Sequence, residues 1–367
     1  MQNKGKFRFE NLDSILTIAF LSTFMAHAFY TESVEVKAST AFQWAVKFRE
    51  VFSFGVPIFF VLSGFLITYL MLKEKEDQGG FSLKNFYIRR VLRIWPVYYL
   101  VLLVGFVLFP MLRGVFLDTA YVETATPWMY MSFLSNFDQI NQGELPYGVG
   151  LGPTWSVSVE EQFYLFWPLL FILFRGKKFI YPLLLVLISS TFLTRMLGLP
   201  TKHLILCMIY LSVGGLFGYL SMYRNVVIKR ITNIHPVFFL ASAGLTLWLI
   251  QQSFQYSLNY IFVFLIAICI AYMIVYQCYS ERFQLKRIPF LEKLGKYTYG
   301  LYLYHVICNF ISHTLIGDVL HFEDNVITSV FVKPLLSLGF SLIISYYSYH
   351  YFESYFLKMK NRFSASK

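Results

Sequence analysis

The sequence predicts an all-α integral membrane protein, a polytopic bundle of about ten transmembrane helices. Of its 367 residues, 57% are hydrophobic and only 14% are charged, whereas about a quarter of an ordinary soluble domain is charged. The apolar residues also fall in runs of about twenty, the length with which a helix crosses about 30 Å of hydrocarbon. So few charges could not cover a surface that faces water on all sides.

Ten apolar runs define the predicted spans, and the third and seventh are the shortest. In chain order they are residues 12–30, 52–72, 95–110, 157–174, 178–194, 203–222, 236–251, 258–279, 297–316 and 326–352.

The net charge of +11 is explained by the positions of the basic residues. With both termini placed in the cytoplasm, the inner segments are 1–11, 73–94, 175–177, 223–235, 280–296 and 353–367, with Lys178 at a helix mouth. These hold 24 of the 31 Lys and Arg residues, the bias expected of a multi-pass protein of the bacterial inner membrane. The basic charge therefore indicates topology and contact with membrane lipid, and no nucleic-acid partner.

The first span carries a lone histidine, His27, about one turn below its outer end. Asp13 shares this face but lies about 20 Å lower at 1.5 Å per residue, so a partner for the ring must come from another helix. A packing histidine is the alternative. Lys4, Lys6 and Arg8 before this span resemble a signal peptide, against which stand Glu10, Asp13 and a histidine inside the cleavage site.

Two features follow in the second and third spans. Gly64 is interpreted as a small-residue helix packing site. Arg90 and Arg93, just before the third span, are three residues apart and lie on one helix face. Planar guanidinium groups placed in this way can hold an anion such as a phosphate, although basic residues at an inner helix end also bind lipid headgroups.

The fourth span follows the longest outward connection, residues 111–156, which contains Asp118 and Glu144. The first turns of the span place Ser156, Glu160, Tyr164 and Trp167 on one face, while Glu161 points elsewhere and is interpreted as complementing the helix dipole. Glu160 is predicted to lie at the depth of His27 and to be its partner. One domain, residues 1–367, includes this loop.

The ninth span carries a stripe of polar residues, namely Thr298, Tyr302, His305, Asn309 and Ser312. Polar atoms that faced lipid would be unpaired, so this face is expected to line protein or a cavity. Helix-to-helix hydrogen bonding and substrate contact explain the stripe equally well. The four cysteines lie inside predicted spans without a Cys-x-x-Cys pair, which indicates neither a disulfide nor a metal site.

The order of these motifs resembles the membrane acyltransferase-3 family. The segments that carry the resemblance are Leu12-Asp13 with His27, Gly55 to Thr68 containing Ser63-Gly-Phe65, Phe86 to Pro96 containing Arg89-Arg-x-x-Arg93, Thr154 to Tyr164 containing Trp155-Ser-x-x-x-Glu-Glu161, Leu294 to His305, and Tyr351-Phe-Glu353. Together they span nearly the whole chain.

The resemblance implies a ten-helix enzyme that transfers an acyl group, usually acetyl, from cytoplasmic acetyl-CoA to a hydroxyl of an envelope glycan or lipid-linked sugar. It assigns catalysis to His27 and Glu160 and binding of CoA to Arg90 and Arg93. Trp155, Ser156, Tyr302 and His305 are expected to contact substrate.

The chain departs from the family in two places. Leu16 replaces the arginine usually found eleven residues before the histidine, and Ser354 replaces the proline usual after Glu353. The first departure bears on how the donor is held near the inner half of the first helix.

Two functions of other classes stay open. A transporter or flippase for a glycolipid or small solute would also carry polar stripes and cytoplasmic arginines, and an inactive relative could serve as a scaffold. The acceptor sugar and the acyl group are not encoded in a recognisable motif, and a homo-oligomer is compatible with the sequence.

Overall fold

The computed structural model describes residues 9, 11–116, 123–143, 145–146, 148–255 and 260–363. Every regular element in this part of the chain is helical, which confirms the predicted all-α class. The residues of the signal-peptide alternative, Lys4, Lys6, Arg8 and Glu10, lie outside the described ranges, as do Asp118 and Glu144 of the long connection.

In the described part of the chain, ten long helices overlap the ten predicted spans. They are α1 (Leu12–His27), α2 (Gly55–Gln78), α3 (Leu83–Leu103), α4 (Thr154–Leu173), α5 (Ile180–Leu197), α6 (Leu204–Tyr223), α7 (Val237–Gln255), α8 (Tyr260–Tyr279), α9 (Thr298–Thr314) and α10 (Lys333–Tyr347).

Among the described residues, six helices are long and apolar enough to cross a membrane. A seventh qualifies if Asn225–Thr232 and Val237–Ser253, which meet at 87°, are counted as one bent span. α1 is apolar but shorter. The protein is therefore a multi-pass helical membrane protein, and the number of ten spans stays a prediction.

The third helix begins twelve residues before its predicted span. The side chain of Ser82 accepts a hydrogen bond from the backbone N–H of Asn85 and caps the N-terminus, a role that serine favours. The cap starts the helix before Arg90 and Arg93, so both arginines lie inside a regular helix. Beyond Leu103 the chain continues as a π-helical turn, Val104–Leu108, and a short helix, Phe109–Phe116.

Glycines bring α2 and α6 into close contact at the centre of the bundle. A Cβ atom on Gly64 would lie 1.9 Å from the carbonyl oxygen of Leu211, and one on Gly214 would lie 2.0 Å from that of Val61. Gly218, one turn beyond Gly214, packs in the same way. The predicted packing role of Gly64 is confirmed, in the manner of small-residue interfaces in membranes.

Part of the long outer connection packs along α3 and α4. This part contains two short helices, Pro127–Met131 and Ser135–Gln142. Tyr98 donates to the carbonyl oxygen of Tyr130 in the first helix, and Gln162 donates to that of Phe133 between the two helices. Gln162 lies eight residues inside α4, about 12 Å from its outer end. This part of the predicted outward loop therefore re-enters the bundle, because buried tyrosine and glutamine side chains hold its backbone.

Shorter helices cover the ends of the bundle. Val34–Ala38 and Thr40–Val51 connect α1 to α2 on the outer side, and Asn225–Thr232, Pro289–Gly295 and Ser354–Lys360 lie on the inner side. On the outer side, the carboxylate of Asp324 accepts hydrogen bonds from Thr31 and from Lys333. This cluster, the outer clamp, joins the segment after α1 to the start of α10.

Candidate active site

A cavity of about 810 Å³ opens among the outer halves of the helices. His27, the last residue of α1, lies on its wall. α9 contributes Tyr302, Asn309 and His313 to the same wall, and the first turn of α4 contributes Trp155. We refer to this space as the outer cavity.

The imidazole of His27 contacts a second imidazole, that of His305. Nδ1 of His27 lies 3.0 Å from the carbonyl oxygen of Thr23 and 3.2 Å from Nε2 of His305. Nδ1 of His305 lies 2.6 Å from the carbonyl oxygen of Tyr302. His305 is completely buried, and the side-chain amide of Asn309 donates to the carbonyl oxygen of His27 at 3.1 Å.

These contacts fix the tautomer of each ring. A carbonyl oxygen only accepts hydrogen bonds, so the proton of His305 must sit on Nδ1 to satisfy Tyr302. Nε2 of His305 then carries a lone pair and accepts a hydrogen bond. The Nδ1–H group of His27 is shared between this nitrogen and the carbonyl oxygen of Thr23. The Nε2 atom of His27 keeps a lone pair that no described residue uses. The pair thus presents an oriented base, in which His305 holds the ring of His27.

The predicted pairing of His27 with Glu160 is not found. Glu160 accepts hydrogen bonds from Ser63 at 2.8 Å and from Tyr164 at 2.9 Å. Tyr302 contacts Ser156 on α4. The Ser156–Tyr302 contact therefore marks one depth in both helices. Glu160 lies four residues further towards the inner side on α4, and His305 lies three residues further towards the outer side on α9. The two side chains thus differ in depth by about 10 Å. The sequence does not fix how far one helix is displaced along its axis relative to another, and this displacement separates the two groups.

Glu160 instead lies beside the arginines, in a second cavity of about 170 Å³ that we call the inner cavity. Arg90 and Arg93 both line this cavity, together with Glu160, Tyr164 and Ser63. Their joint position follows from the spacing of three residues on one helix.

The three arginines of the motif differ in their partners. Arg89 donates to Glu74 at 2.8 Å and forms a salt bridge. Arg90 stands between two rings, with its guanidinium carbon 5.6 Å from the centre of Phe86 and 5.3 Å from that of Tyr164. Its buried Nε has no hydrogen-bond partner among the described residues. A buried, unused donor on a permanent cation fits an anionic ligand such as a phosphate group.

Leu16 lines the inner cavity as well. The position at which the family usually has an arginine therefore lines the same cavity as the paired arginines. In this chain, an apolar side chain takes that place, so two guanidinium groups and not three are available to an anion there.

The two cavities share the side chains of Tyr302 and Phe60. The hydroxyl of Tyr302 lies 2.5 Å from that of Ser156, and both contact the carbonyl oxygen of Pro153. Trp155, the neighbour of Ser156, packs edge-on against Phe60 with a centroid distance of 6.0 Å. The predicted substrate-binding residues Trp155, Ser156 and Tyr302 thus lie at the boundary between the cavities.

The mouth of the outer cavity carries polar groups that lie outside the helical spans. Lys202 donates to the side-chain oxygen of Gln139 at 2.8 Å, and burial lowers the pKa of its ammonium group. The hydroxyl of Tyr30 donates to Glu32, and burial together with this carboxylate raises the pKa of Tyr30. Both Tyr30 and Lys202 line the cavity.

Sequence reasoning missed two contacts of the site. His305 was expected to contact substrate, and the structure shows that its ring is hydrogen-bonded to that of His27. The polar stripe of α9 could have indicated this contact, because the stripe continues to Asn309, which also contacts His27. Ser63 was seen only as part of a motif, although it donates to Glu160.

Comparison with known proteins gives a family for this arrangement. Residues 9–350 match the acyltransferase-3 family, described as an acyltransferase domain. An uncharacterized protein of Haemophilus influenzae is 33% identical over 205 residues, which cover 49% of this chain and 80% of that protein. The peptidoglycan O-acetyltransferase OatA of Listeria monocytogenes is 34% identical over 124 residues, which cover 33% of this chain and 20% of that protein.

No solved structure matches the chain. The match to the family covers nearly the whole sequence and includes the histidine, arginine and glutamate motifs. The chain therefore belongs to the acyltransferase-3 family, which confirms the predicted family and the predicted class of enzyme, an O-acyltransferase of the membrane.

Proposed function

We propose that the protein transfers an acetyl or other short acyl group from cytoplasmic acyl-CoA to a hydroxyl of an envelope glycan or lipid-linked sugar, in the bacterial inner membrane. The observation that carries this proposal is the oriented His27–His305 pair on the wall of one cavity, adjacent to a second cavity with two arginines that form no ion pair with a described residue. The name of the Listeria relative, a peptidoglycan O-acetyltransferase, supports oxygen as the accepting atom and acetyl as the group.

The proposed chemistry centres on Nε2 of His27. Its lone pair takes the proton of the acceptor hydroxyl while the oxygen attacks the thioester carbonyl. The carbon–sulfur bond then breaks, and the imidazolium returns the proton to the departing CoA thiolate. His305 accepts a hydrogen bond from Nδ1–H throughout and stabilises the transient positive charge. This is the role that a carboxylate has in a serine hydrolase triad.

The proposed donor site is the inner cavity. Neither Arg90 nor Arg93 forms an ion pair with another described residue, so both are available to phosphate groups of CoA. The thioester arm would then run past Tyr302 and Ser156, whose hydroxyls lie where the cavities meet. These hydroxyls are the proposed donors to the thioester oxygen, and Glu160 with Ser63 and Tyr164 fixes the wall beside Arg90.

The proposal is tested with purified protein, labelled acetyl-CoA and acceptor extracted from the source membranes. Replacing His27 with Ala should lower transfer by about 10²- to 10⁴-fold and leave donor binding intact. Replacing Arg90 or Arg93 with Ala should weaken donor binding by about tenfold or more, because each loses charged hydrogen bonds. Arg89→Ala is the matched control, since Arg89 is paired with Glu74 and should leave donor affinity nearly unchanged.

Opposite results would reject the assignment of roles. Loss of donor binding in His27→Ala, with normal binding in the arginine variants, would invert it. Movement of a solute without release of free CoA thiol would favour a transporter, and absence of any CoA release would favour a scaffold. An acyl-histidine intermediate, in which Nε2 itself attacks the thioester, would appear as a burst of CoA release without acceptor.

A further inference from the structure

The wall of the outer cavity is divided by chemical character. The side formed by α1 and α9 carries His27, Asn309 and His313. The apolar part of the lining comes from α2, α6, α7 and α8, where Phe60, Leu206, Ile250 and Ile266 are all at most 5% exposed. The proposed base therefore shares its cavity with a buried apolar wall.

Two of the polar groups on the apolar side are already hydrogen-bonded within the protein. Ser253 donates to the carbonyl oxygen of Ile250 at 2.7 Å, and the thiol of Cys207 donates to that of Thr201 at 3.3 Å. A sugar placed against this wall would leave its hydroxyls without partners, at a cost of about 1–3 kcal/mol each. A hydrocarbon chain would lose nothing there and would gain from burial.

In the predicted orientation, the apolar wall lies at the level of the lipid chains. Leu206 is the third residue of α6 and Ile266 the seventh residue of α8, so the wall extends about 10 Å below the outer ends of these helices. Hydrocarbon of the outer leaflet begins at this depth. A lipid-anchored molecule can thus place its chain against the wall while its head group stays near His27.

We propose that the acceptor is lipid-linked: the outer cavity binds a hydrocarbon chain between Phe60, Leu206, Ile250 and Ile266 while the hydroxyl to be acylated sits at His27. This inference rests on the proposed function and selects one of its two acceptor classes. A glycan without a lipid anchor, whether free or part of the cell wall, would contact only the polar side of the cavity. It would leave most of the apolar lining in contact with water.

The experiment compares two acceptor fractions of the source cells, a chloroform–methanol lipid extract and the lipid-free glycan fraction. Each is incubated with purified protein and labelled acetyl-CoA. Label is expected in the organic phase of the lipid reaction. Label in the glycan fraction alone would overturn the inference and leave the enzyme activity standing. Absence of label and of CoA release in both reactions would contradict the proposed function itself.

Two cavity-filling variants locate the chain. Ile266→Trp and Ile250→Trp, from different helices, should each lower transfer to the lipid extract by about tenfold, since each displaces several methylene groups. Leu265→Trp is the matched control, because Leu265 is 39% exposed on the outside of α8. Unchanged binding of labelled acetyl-CoA shows that a variant is folded.

The same variants separate acceptor chain from donor chain. If the wall holds the acyl group of the donor, Ile266→Trp will reduce use of decanoyl-CoA and leave transfer of acetyl to the lipid extract unchanged. That outcome would assign the wall to the donor and overturn the inference.

Discussion

At the scale of single residues, the site depends on which nitrogen atom carries a proton. The carbonyl oxygens of Thr23 and Tyr302 place a proton on Nδ1 of His27 and of His305 respectively, and this leaves Nε2 of His27 as the proposed base. The sequence could place both histidines near the outer end of their helices. It could not reveal that one ring positions the other.

His305 is therefore expected to act through His27. Replacing His305 with Ala should lower kcat by about 100-fold, as loss of an orienting partner does, while the dissociation constant of acyl-CoA stays within a factor of two. His305→Gln should recover part of the rate, because its side-chain oxygen can accept from Nδ1–H of His27. Steady-state kinetics with donor titration checks both. Equal loss of donor binding in the two variants would show a merely structural role.

Leu16 offers a gain-of-function test at the same scale. Its side chain lines the inner cavity with Arg90 and Arg93, so Leu16→Arg should add a third guanidinium and lower the KM for acyl-CoA by about tenfold. Without donor, the variant should melt at a lower temperature, because three cations repel one another in a medium of low dielectric constant. Ile18→Arg, on a different face of α1, is the control. An unchanged KM in Leu16→Arg would place the donor phosphates elsewhere.

At the scale of elements, backbone contact between α2 and α6 holds the centre of the bundle. Gly64→Ala would bring a Cβ atom within 1.9 Å of the carbonyl of Leu211, so we expect destabilisation by about 1–3 kcal/mol or more. Gly244→Ala is the matched control, since Gly244 lies on α7 with no heavy atom within 4 Å of the added carbon. It should be neutral or stabilising by about 0.5–1 kcal/mol. Thermal melting in detergent compares the two, and an equal loss would contradict the packing assigned here.

The outer clamp should make stability depend on pH. Burial alone would raise the pKa of Asp324, but hydrogen bonds from Ser329, Thr31 and Lys333 outweigh it, and the pKa of this carboxyl lies below its usual value. Its contribution is therefore complete above the unfolded pKa of about 3.9 and is lost as the pH falls further. Asp324→Asn should lower the melting temperature at pH 7 and flatten the acid dependence below about pH 4. If the melting temperature of the variant falls with decreasing pH as steeply as that of the natural protein, Asp324 is not the source of the acid dependence.

The polar stripe of α9 shows how far an element can be read from sequence. Its spacing predicted a face that meets protein or a cavity. In the structure Thr298, Tyr302, His305, Asn309 and Ser312 all form hydrogen bonds within the protein, and three of them also line a cavity. Spacing fixes which side chains share a face, because the helix has 3.6 residues per turn. It does not name the neighbouring helix.

At the scale of the whole molecule, two cavities of unequal size meet at Tyr302 and Phe60. The larger carries the histidine pair, and the smaller carries the arginines. The proposed anion site and the proposed site of chemistry are therefore separated by part of the membrane thickness. The two cavities that contain them are adjacent at Tyr302 and Phe60.

The proposed orientation predicts that acyl-CoA is consumed only from the cytoplasmic face of the membrane. In inverted membrane vesicles, whose cytoplasmic face is outside, added acyl-CoA should be consumed, because the arginines lie towards that face. Right-side-out vesicles should show no consumption until detergent opens them, since acyl-CoA does not cross the bilayer. Release of CoA thiol is the measurement. Equal rates in both preparations before detergent would place donor binding on the outer side.

The sequence by itself determined the membrane class, the helical architecture, the family and the faces on which the arginines and the α9 stripe lie. The family follows from the resemblance carried by the order of the motifs along the chain, and the other three follow from composition or from periodicity within one helix. Only the tertiary structure decided that His305 and not Glu160 holds His27, and that Glu160 lies with the arginines. The re-entry of the outer connection was also decided there. The physical reason is that the axial offset between packed helices depends on side-chain contacts between segments distant in sequence, which a single pattern along one helix does not contain.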